Sequence, residues 1–351
     1  MTTAGDFLFT FSLFDGMIWV ISFFRFSLKI HRKEPVMKRS ETPNKQFAHP
    51  PVSLGPSNQT PPIPKPETLF KIFGKYTWIP LLILLVLFCI YQYRTYHESL
   101  VPLPIESELQ ILFLDVGQAD SALLTCDGQT MLIDGGNVGN GQKLYSLLKE
   151  KDIETLDYVV CTHAHEDHVG GLASALTACD AGTVFSPVTN YDSRAFRNFA
   201  DRAGQITVPQ AGDTFAFGSG TVEILACDPY AEDTNNTSIV LKVTYGKTSF
   251  LFTGDAEYPV EQTLLDAGYD PSATVLKVGH HGSSSSTSYR FLNRVMPQYA
   301  IISVGEDNSY GHPNDEVLSR LRDADVTVYR TDLDGDILCI SDGNKVTLST
   351  P

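Results

Sequence analysis

Cysteine is scarce in this chain. The 351 residues include six, Cys89, Cys126, Cys161, Cys179, Cys227 and Cys339, and no two form a CxxC or another close spacing. That excludes a disulfide framework and a cysteine-based zinc cluster. Cys126, Cys161, Cys227 and Cys339 each end or interrupt an apolar run, where a thiol serves as a small buried hydrophobe. Basic side chains are also scarce beyond the first hundred residues. Residues 1–100 carry 11 Lys/Arg and 6 Asp/Glu, a net of +5, whereas residues 101–351 carry 15 and 35, a net of −20. A segment that acidic does not gather polyanions through its general field, so action on nucleic acid would need metals and a local basic patch. The simplest meaning of the excess is a solvated acidic surface. Compositional bias is absent: 42% apolar and 19% charged residues exclude collagen-like and wholly disordered classes and leave an ordinary globular domain with an extension.

Long apolar runs are limited to two. Residues 76–93, YTWIPLLILLVLFCIYQY, are eighteen uncharged residues with aromatics at both ends. This is the length and edge composition of a transmembrane helix. Lys65, Lys71 and Lys75 precede it, and only Arg94 lies close on the other side. The positive-inside rule then places residues 97–351 outside the cytoplasm, anchored at the cell membrane by a single pass. Residues 1–45 hold a second apolar stretch, Phe7–Leu28, interrupted by Asp15, Gly16 and Arg25. It reads as another span, as a signal-like segment, or as sequence upstream of a true start at Met37. In each case the orientation is unchanged. Residues 46–75 are a basic, Pro-rich tether.

From about residue 105 to 351 the pattern changes to short strands separated by turns and helices. Strands are expected at 109–115, 121–126, 130–134, 158–161, 221–227, 238–245, 249–253, 273–278, 299–304 and 326–329. Helices are expected at 142–151, 192–203, 257–267, 287–296 and 314–324. Early hairpins followed by strand–helix alternation predict an α/β fold, two sheets packed together with helices outside.

The chemistry concentrates at strand ends. Thr162-His163-Ala164-His165-Glu166-Asp167-His168-Val169-Gly170-Gly171 follows the apolar run Tyr158–Cys161. In extended backbone His163 and His165 project to one side and can share a metal, while Asp167 and His168 turn toward a second as a helix begins. Phe250-Leu251-Phe252-Thr253-Gly254-Asp255 ends another strand with a carboxylate suited to bridging two cations. Leu276-Lys277-Val278-Gly279-His280-His281-Gly282-Ser283 ends a third with paired imidazoles. With Tyr310-Gly311-His312-Pro313 included, six of the nine histidines fall in these motifs, which a chance polar loop does not produce.

These motifs resemble the metallo-β-lactamase superfamily, and within it the hydrolase-like domain of the ComEC family of DNA-uptake proteins. The resemblance covers residues 108–340. It rests on Phe113-Leu114-Asp115-Val116-Gly117-Gln118, Asp120, Ile133-Asp134-Gly135-Gly136, the HxHxDH, Asn236-Thr237-Ser238, and the FTGD, KVGHHGS and YGHP segments, in the family's order. It implies a four-layer αββα sandwich holding two divalent cations, zinc or manganese. His163 and His165 would bind one cation, Asp167, His168 and His280 the other, with Asp255 between; His280 is preferred to His281 because it directly follows the strand and glycine. Asp167 would orient the attacking water, and His312 or His281 would protonate the leaving oxygen. Asp115, Gln118, Asp120, Asp134, Asn236, Ser238 and Ser283 are candidates to support the ligands or touch substrate.

The chain departs from the family in three ways. No histidine stands between His168 and His280, so Asp233, Asn235, Asn236, Ser238 or water must complete the first site, which favours manganese over zinc. Ala119 replaces the usual glycine after Gln118. One or two spans cannot make a DNA-conducting channel. The implied function is phosphodiester hydrolysis with DNA the favoured substrate. The alternatives are another exported phosphodiester, such as a cell-wall choline-phosphate ester, and a non-catalytic surface module with structural metals. Basic residues beside the pocket, drawn from Arg194, Arg197, Arg202, Lys277, Arg290 and Arg294, would separate a nuclease from a small-ester hydrolase. No protein partner is read from the sequence.

Overall fold

The computed structural model describes residues 82–88 and 108–350. By its contacts the chain divides into two units, Met1–Thr77 and Trp78–Pro351, and every described residue lies in the second. Within the expected membrane segment, residues 82–88 are helical and each is exposed. Among the described residues no helix is long and apolar enough to cross a membrane. The rest of 76–93, the stretch Phe7–Leu28 and the tether 46–75 lie outside the described residues.

Among the described residues fifteen strands run in chain order: β1 (Leu109–Phe113), β2 (Ala122–Cys126), β3 (Gln129–Ile133), β4 (Thr155–Val160), β5 (Asp180–Phe185), β6 (Ile206–Thr207), β7 (Thr214–Phe217), β8 (Gly220–Ala226), β9 (Val240–Tyr245), β10 (Thr248–Phe252), β11 (Val275–Lys277), β12 (Tyr299–Ile302), β13 (Thr327–Arg330), β14 (Ile337–Ser341) and β15 (Val346–Ser349). They build an eight-stranded sheet in the order β15-β14-β1-β2-β3-β4-β5-β6 and a seven-stranded sheet in the order β13-β12-β11-β10-β9-β8-β7. In each sheet antiparallel hairpins give way to parallel strands. In the first, β2 and β3 pair antiparallel and β3, β4 and β5 parallel. In the second, β9 and β10 pair antiparallel and β10, β11, β12 and β13 parallel.

Strand alternation explains the layering. Leu109, Ile111 and Phe113 on β1, Ala122, Leu124 and Cys126 on β2, and Phe250 and Phe252 on β10 all enter one core between the sheets. Their neighbours Leu123 and Leu251 point the opposite way into two further cores, under the helices of each sheet. Strands buried on both faces need consecutive apolar residues, as Ala122–Leu124 on β2 and Phe250–Phe252 on β10 supply. Phe113 and Phe252 stack across the sheets with centroids 5.7 Å apart, and a ring so buried contributes roughly 1.5–3 kcal/mol. Helices Gly141–Glu150, Leu172–Ala178 and Arg194–Ala203 cover the first sheet. Helices Tyr258–Asp266, Tyr289–Val295 and Asp315–Asp323 cover the second. The result is the expected αββα sandwich.

The expected strands and helices are present within one to three residues at most ends. Helix Leu172–Ala178 and strands β5, β6, β7, β14 and β15 were not expected. Each is short, and LASALTA and DAGTVF show neither a polar face nor strict alternation.

Candidate metal centre

The cavity opens where carboxyl ends of strands from both sheets meet. It measures about 370 Å³ and is lined by Gln118, His165, Glu166, Asp167, Asn235, Asp255, His280, His281, Tyr310 and His312. From the first sheet, β4 leads through Cys161 into the histidine motif, whose short helix Glu166–Val169 carries Asp167 and His168. From the second, β10 delivers Asp255 and β11 delivers the histidine pair.

Asp255 is the hub. It is buried, and its Oδ1 lies 3.2 Å from His168 Nε2. Its Oδ2 lies 3.8 Å from His163 Nε2, 3.7 Å from His280 Nε2 and 3.8 Å from His281 Nε2. Ser238 Oγ accepts from the Asp255 backbone N–H at 3.1 Å, fixing the carboxylate's root. Asp134 Oδ2 accepts from His168 Nδ1 at 2.8 Å, and Ser303 carbonyl accepts from His281 Nδ1 at 2.9 Å, with Asp120 Oδ1 beside that nitrogen at 3.2 Å. Glu257 Oε1 stands 3.3 Å from His280 Nδ1 and also accepts from Ser285 Oγ at 2.6 Å. In His168 and His281 an oxygen accepts from Nδ1, which leaves Nε2 of each ring turned toward Asp255. His163 Nε2 and His165 Nδ1 converge to 3.1 Å.

His280 and His281 occupy consecutive left-handed positions, φ 49° and 53°. Such backbone is strained for non-glycine residues, by roughly 1–3 kcal/mol each, and persists where surroundings enforce it. Here Ser286 Oγ donates to the Gly279 carbonyl at 2.7 Å and the Asn314 N–H donates to the Gly282 carbonyl at 2.9 Å. The turn brings two adjacent imidazoles into one cavity.

The donor set fits a divalent cation. Asp167, His168, Asp255 and His281 have donor atoms all within 4.8 Å of one another. His168 Nε2, Asp255 Oδ1 and Asn235 Oδ1 are buried without a hydrogen-bond partner. An imidazole lone pair and a carboxylate oxygen 3.2 Å apart in a buried site require positive charge nearby. In the protein alone that charge is a proton: burial lowers His168, but Asp255 and Asp134 overcome it and raise it well above the usual imidazole range. For Asp255, burial raises the carboxyl, but His168 and His281 outweigh it and hold it well below the usual range. Burial and the neighbouring His168 push His163 well down.

The placements revise several expectations. His281, not His280, completes the compact group with Asp167 and His168, because the left-handed turn carries the second imidazole under Asp167, at 3.3 Å. His281 is buried there, and its Nδ1 is committed to Ser303, which suits a ligand better than a proton shuttle. Asp115 is exposed and accepts from the Gly117 N–H at 3.1 Å, so it shapes a turn away from the cavity. Ser283 does not line the cavity; it pairs with Ser285 at 2.9 Å, which braces Glu257. Asn236 braces the same Glu257, accepting from its backbone N–H at 3.1 Å. Gln118 lies 3.4 Å from His312 Nδ1 and accepts from the Gly305 N–H. Burial, with His280 and His281 nearby, lowers His312 to about 4, so it is neutral at pH 7. It can then offer a hydrogen bond but holds no excess proton.

Among the described residues no lysine or arginine lines the cavity. Arg197 pairs with Asp192, Arg290 with Asp266, and Arg202 with Thr177. Lys277 is buried beneath the site. Glu257 and Ser303 escaped the sequence reading. Glu257 had a faint signal in lying two residues past Asp255, and Ser303 had none, since it acts through its carbonyl.

The family model of the Metallo-beta-lactamase superfamily matches residues 114–306, and the chain belongs to that superfamily. The competence resemblance is met as well: ComE operon protein 3 of Bacillus subtilis is 30% identical over 259 residues, covering 66% of this chain and 33% of that protein. Competence protein ComA of Neisseria gonorrhoeae is 32% identical over 243 residues, covering 69% and 33%. Recombination protein 2 of Haemophilus influenzae is 31% identical over 234 residues, covering 65% and 28%. The chain spans a third or less of the length of these relatives.

Proposed function

We propose that this superfamily hydrolase is a metal-dependent phosphodiesterase, with DNA strands its favoured substrate. The carrying observation is the convergence of Asp167, His168, Asp255 and His281 on one point of an open cavity, with His163 and His165 alongside. Bound divalent cations would supply an activated water and positive charge for a phosphoryl oxygen. The chain's own part is to hold and orient. Asp255 ties both histidine groups, Asp134 and Ser303 fix two imidazoles, and neutral His312, at the rim beside Tyr310, donates to a substrate oxygen. The choice of DNA draws on the competence relatives. The absence of Lys and Arg from the lining favours, as a second reading, a small exported phosphodiester such as a choline-phosphate ester.

The first group, His163, His165 and Asp255, gains oxygen from Asn235, whose Oδ1 is unpartnered in the lining. An oxygen-containing shell lowers the preference for zinc. The stripped full-length protein, purified in detergent, should therefore recover more activity with manganese than with zinc. Assays on single-stranded DNA, double-stranded DNA and a choline-phosphate ester decide the substrate. Cleavage of the ester alone would install the second reading, and no phosphodiester cleavage with either metal would overturn both. Better activity with two tightly held zinc ions would give the last position to the His280 imidazole.

The apolar run 76–93 anchors the domain outside the membrane; seven of its residues, 82–88, are apolar and exposed, a costly surface in water. Protease added to intact cells should then digest residues 101–351. Protection until lysis would reverse the orientation.

A further inference from the structure

β11 carries an unexpected residue. Val275 and Lys277 share the face turned to the inter-sheet core, and Leu276 takes the other. Lys277 pairs in register with Phe252 on one side and Ile301 on the other. Strand pattern and neighbours call for an apolar side chain at 277. Instead a lysine sits there with its side chain 4% exposed. A buried ammonium is costly unless paired, and an apolar residue of similar size is often the more stable choice.

Its partners point to the metal centre. Nζ lies 2.6 Å from Asp120 Oδ2 and donates to the Val278 carbonyl at 3.0 Å. Asp120 in turn stands against His281 Nδ1 at 3.2 Å. Lys277, Asp120, Asp134 and Ser303 share the walls of a void of about 10 Å³ directly behind the site. Among the described residues lining that void or the cavity, Lys277 is the only lysine or arginine. Against it stand three buried carboxylates, Asp120, Asp134 and Asp255, and the half-buried Asp167.

We propose that Lys277 is the internal counter-ion of the metal centre and, through Asp120, a positioning residue for His281. It supplies fixed positive charge behind the carboxylates, so the ligands keep their places before cations arrive. The proposal rests on the metal reading above, but its first test needs no metal.

Lys277→Met and Asp120→Asn should be made singly and together in the full-length protein, and thermal midpoints measured metal-free and with excess manganese. Lys277→Met should lower the metal-free midpoint on the order of 10 °C. The double variant should lose much less than the two single losses combined, because it removes both charges. Manganese should raise the midpoint of Lys277→Met more than that of the wild type. Additive losses, with the same manganese shift in every variant, would reduce Lys277 to packing and overturn the proposal. If Lys277→Met does not fold metal-free, the double variant decides: stability at or above Asp120→Asn supports the counter-ion, and failure to fold overturns it. If manganese moves no midpoint, the metal reading fails, while the coupling between the two substitutions still judges the pair.

Discussion

Asp255→Asn is expected to reduce hydrolysis by at least about a thousandfold, roughly 4 kcal/mol of barrier, and to lower the metal content of the purified protein. The amide matches the carboxylate in shape, and Ser238 still accepts from the same backbone N–H, so the fold stays. What goes is the charge that four imidazoles share, His168 at 3.2 Å and His163, His280 and His281 at 3.7–3.8 Å. An amide also turns one oxygen into a donor, which faces nitrogens that need an acceptor or a cation. Turnover, elemental analysis and circular dichroism are read on the same preparation. His163→Ala and Asp167→Ala should behave alike. Activity within about tenfold of wild type, roughly 1.4 kcal/mol, would remove the residue concerned from the centre.

The largest loss of stability is expected from Asp134→Ala. Asp134 is 1% exposed and accepts from the Thr162 N–H at 2.7 Å, from Thr162 Oγ1 at 2.7 Å and from His168 Nδ1 at 2.8 Å. Alanine leaves the Thr162 N–H buried without an acceptor, and leaves Thr162 Oγ1 and His168 Nδ1 only the longer contacts at 3.3–3.4 Å that they make with each other and with His163. Breaking a buried charge-assisted network of this kind costs about 3–5 kcal/mol. Denaturant unfolding should show that loss in metal-free protein, where no cation adds its hold on His168 to that of Asp255. A change under about 1 kcal/mol would mean that Thr162 and His168 find other partners.

The parts of the site written in one stretch of chain were the legible ones. His163, His165, Asp167 and His168 stand within six residues, and their strand-to-helix setting follows from local pattern. Asp255 and the histidine pair were legible as strand-end motifs, since β10 and β11 are apolar and end sharply. The division of labour between His280 and His281 was not. It depends on two consecutive left-handed residues held by Ser286 and Asn314, which set the second imidazole, and not the one nearest the strand, against Asp167 and His168. Asp134 was only a candidate, because its meeting with His168 spans 34 residues of sequence. Lys277 was one of six basic residues that could have stood beside the pocket, and only its register between Phe252 and Ile301 shows it to be internal. The layers followed from alternation, whereas β14 and β15 were missed because their role is to extend the sheet beyond β1, a long-range pairing without local signature.

The candidate ligands come from both halves of the sandwich: the histidine motif hangs from one sheet, while Asp255 and the histidine pair hang from the other. Cations held among them would rivet the sheets together at one rim, where among the described residues no disulfide does so. Removing them should let that rim gape first while the Phe113–Phe252 stack still clasps the interior, so the mouth of the stripped protein would breathe about a closed hinge.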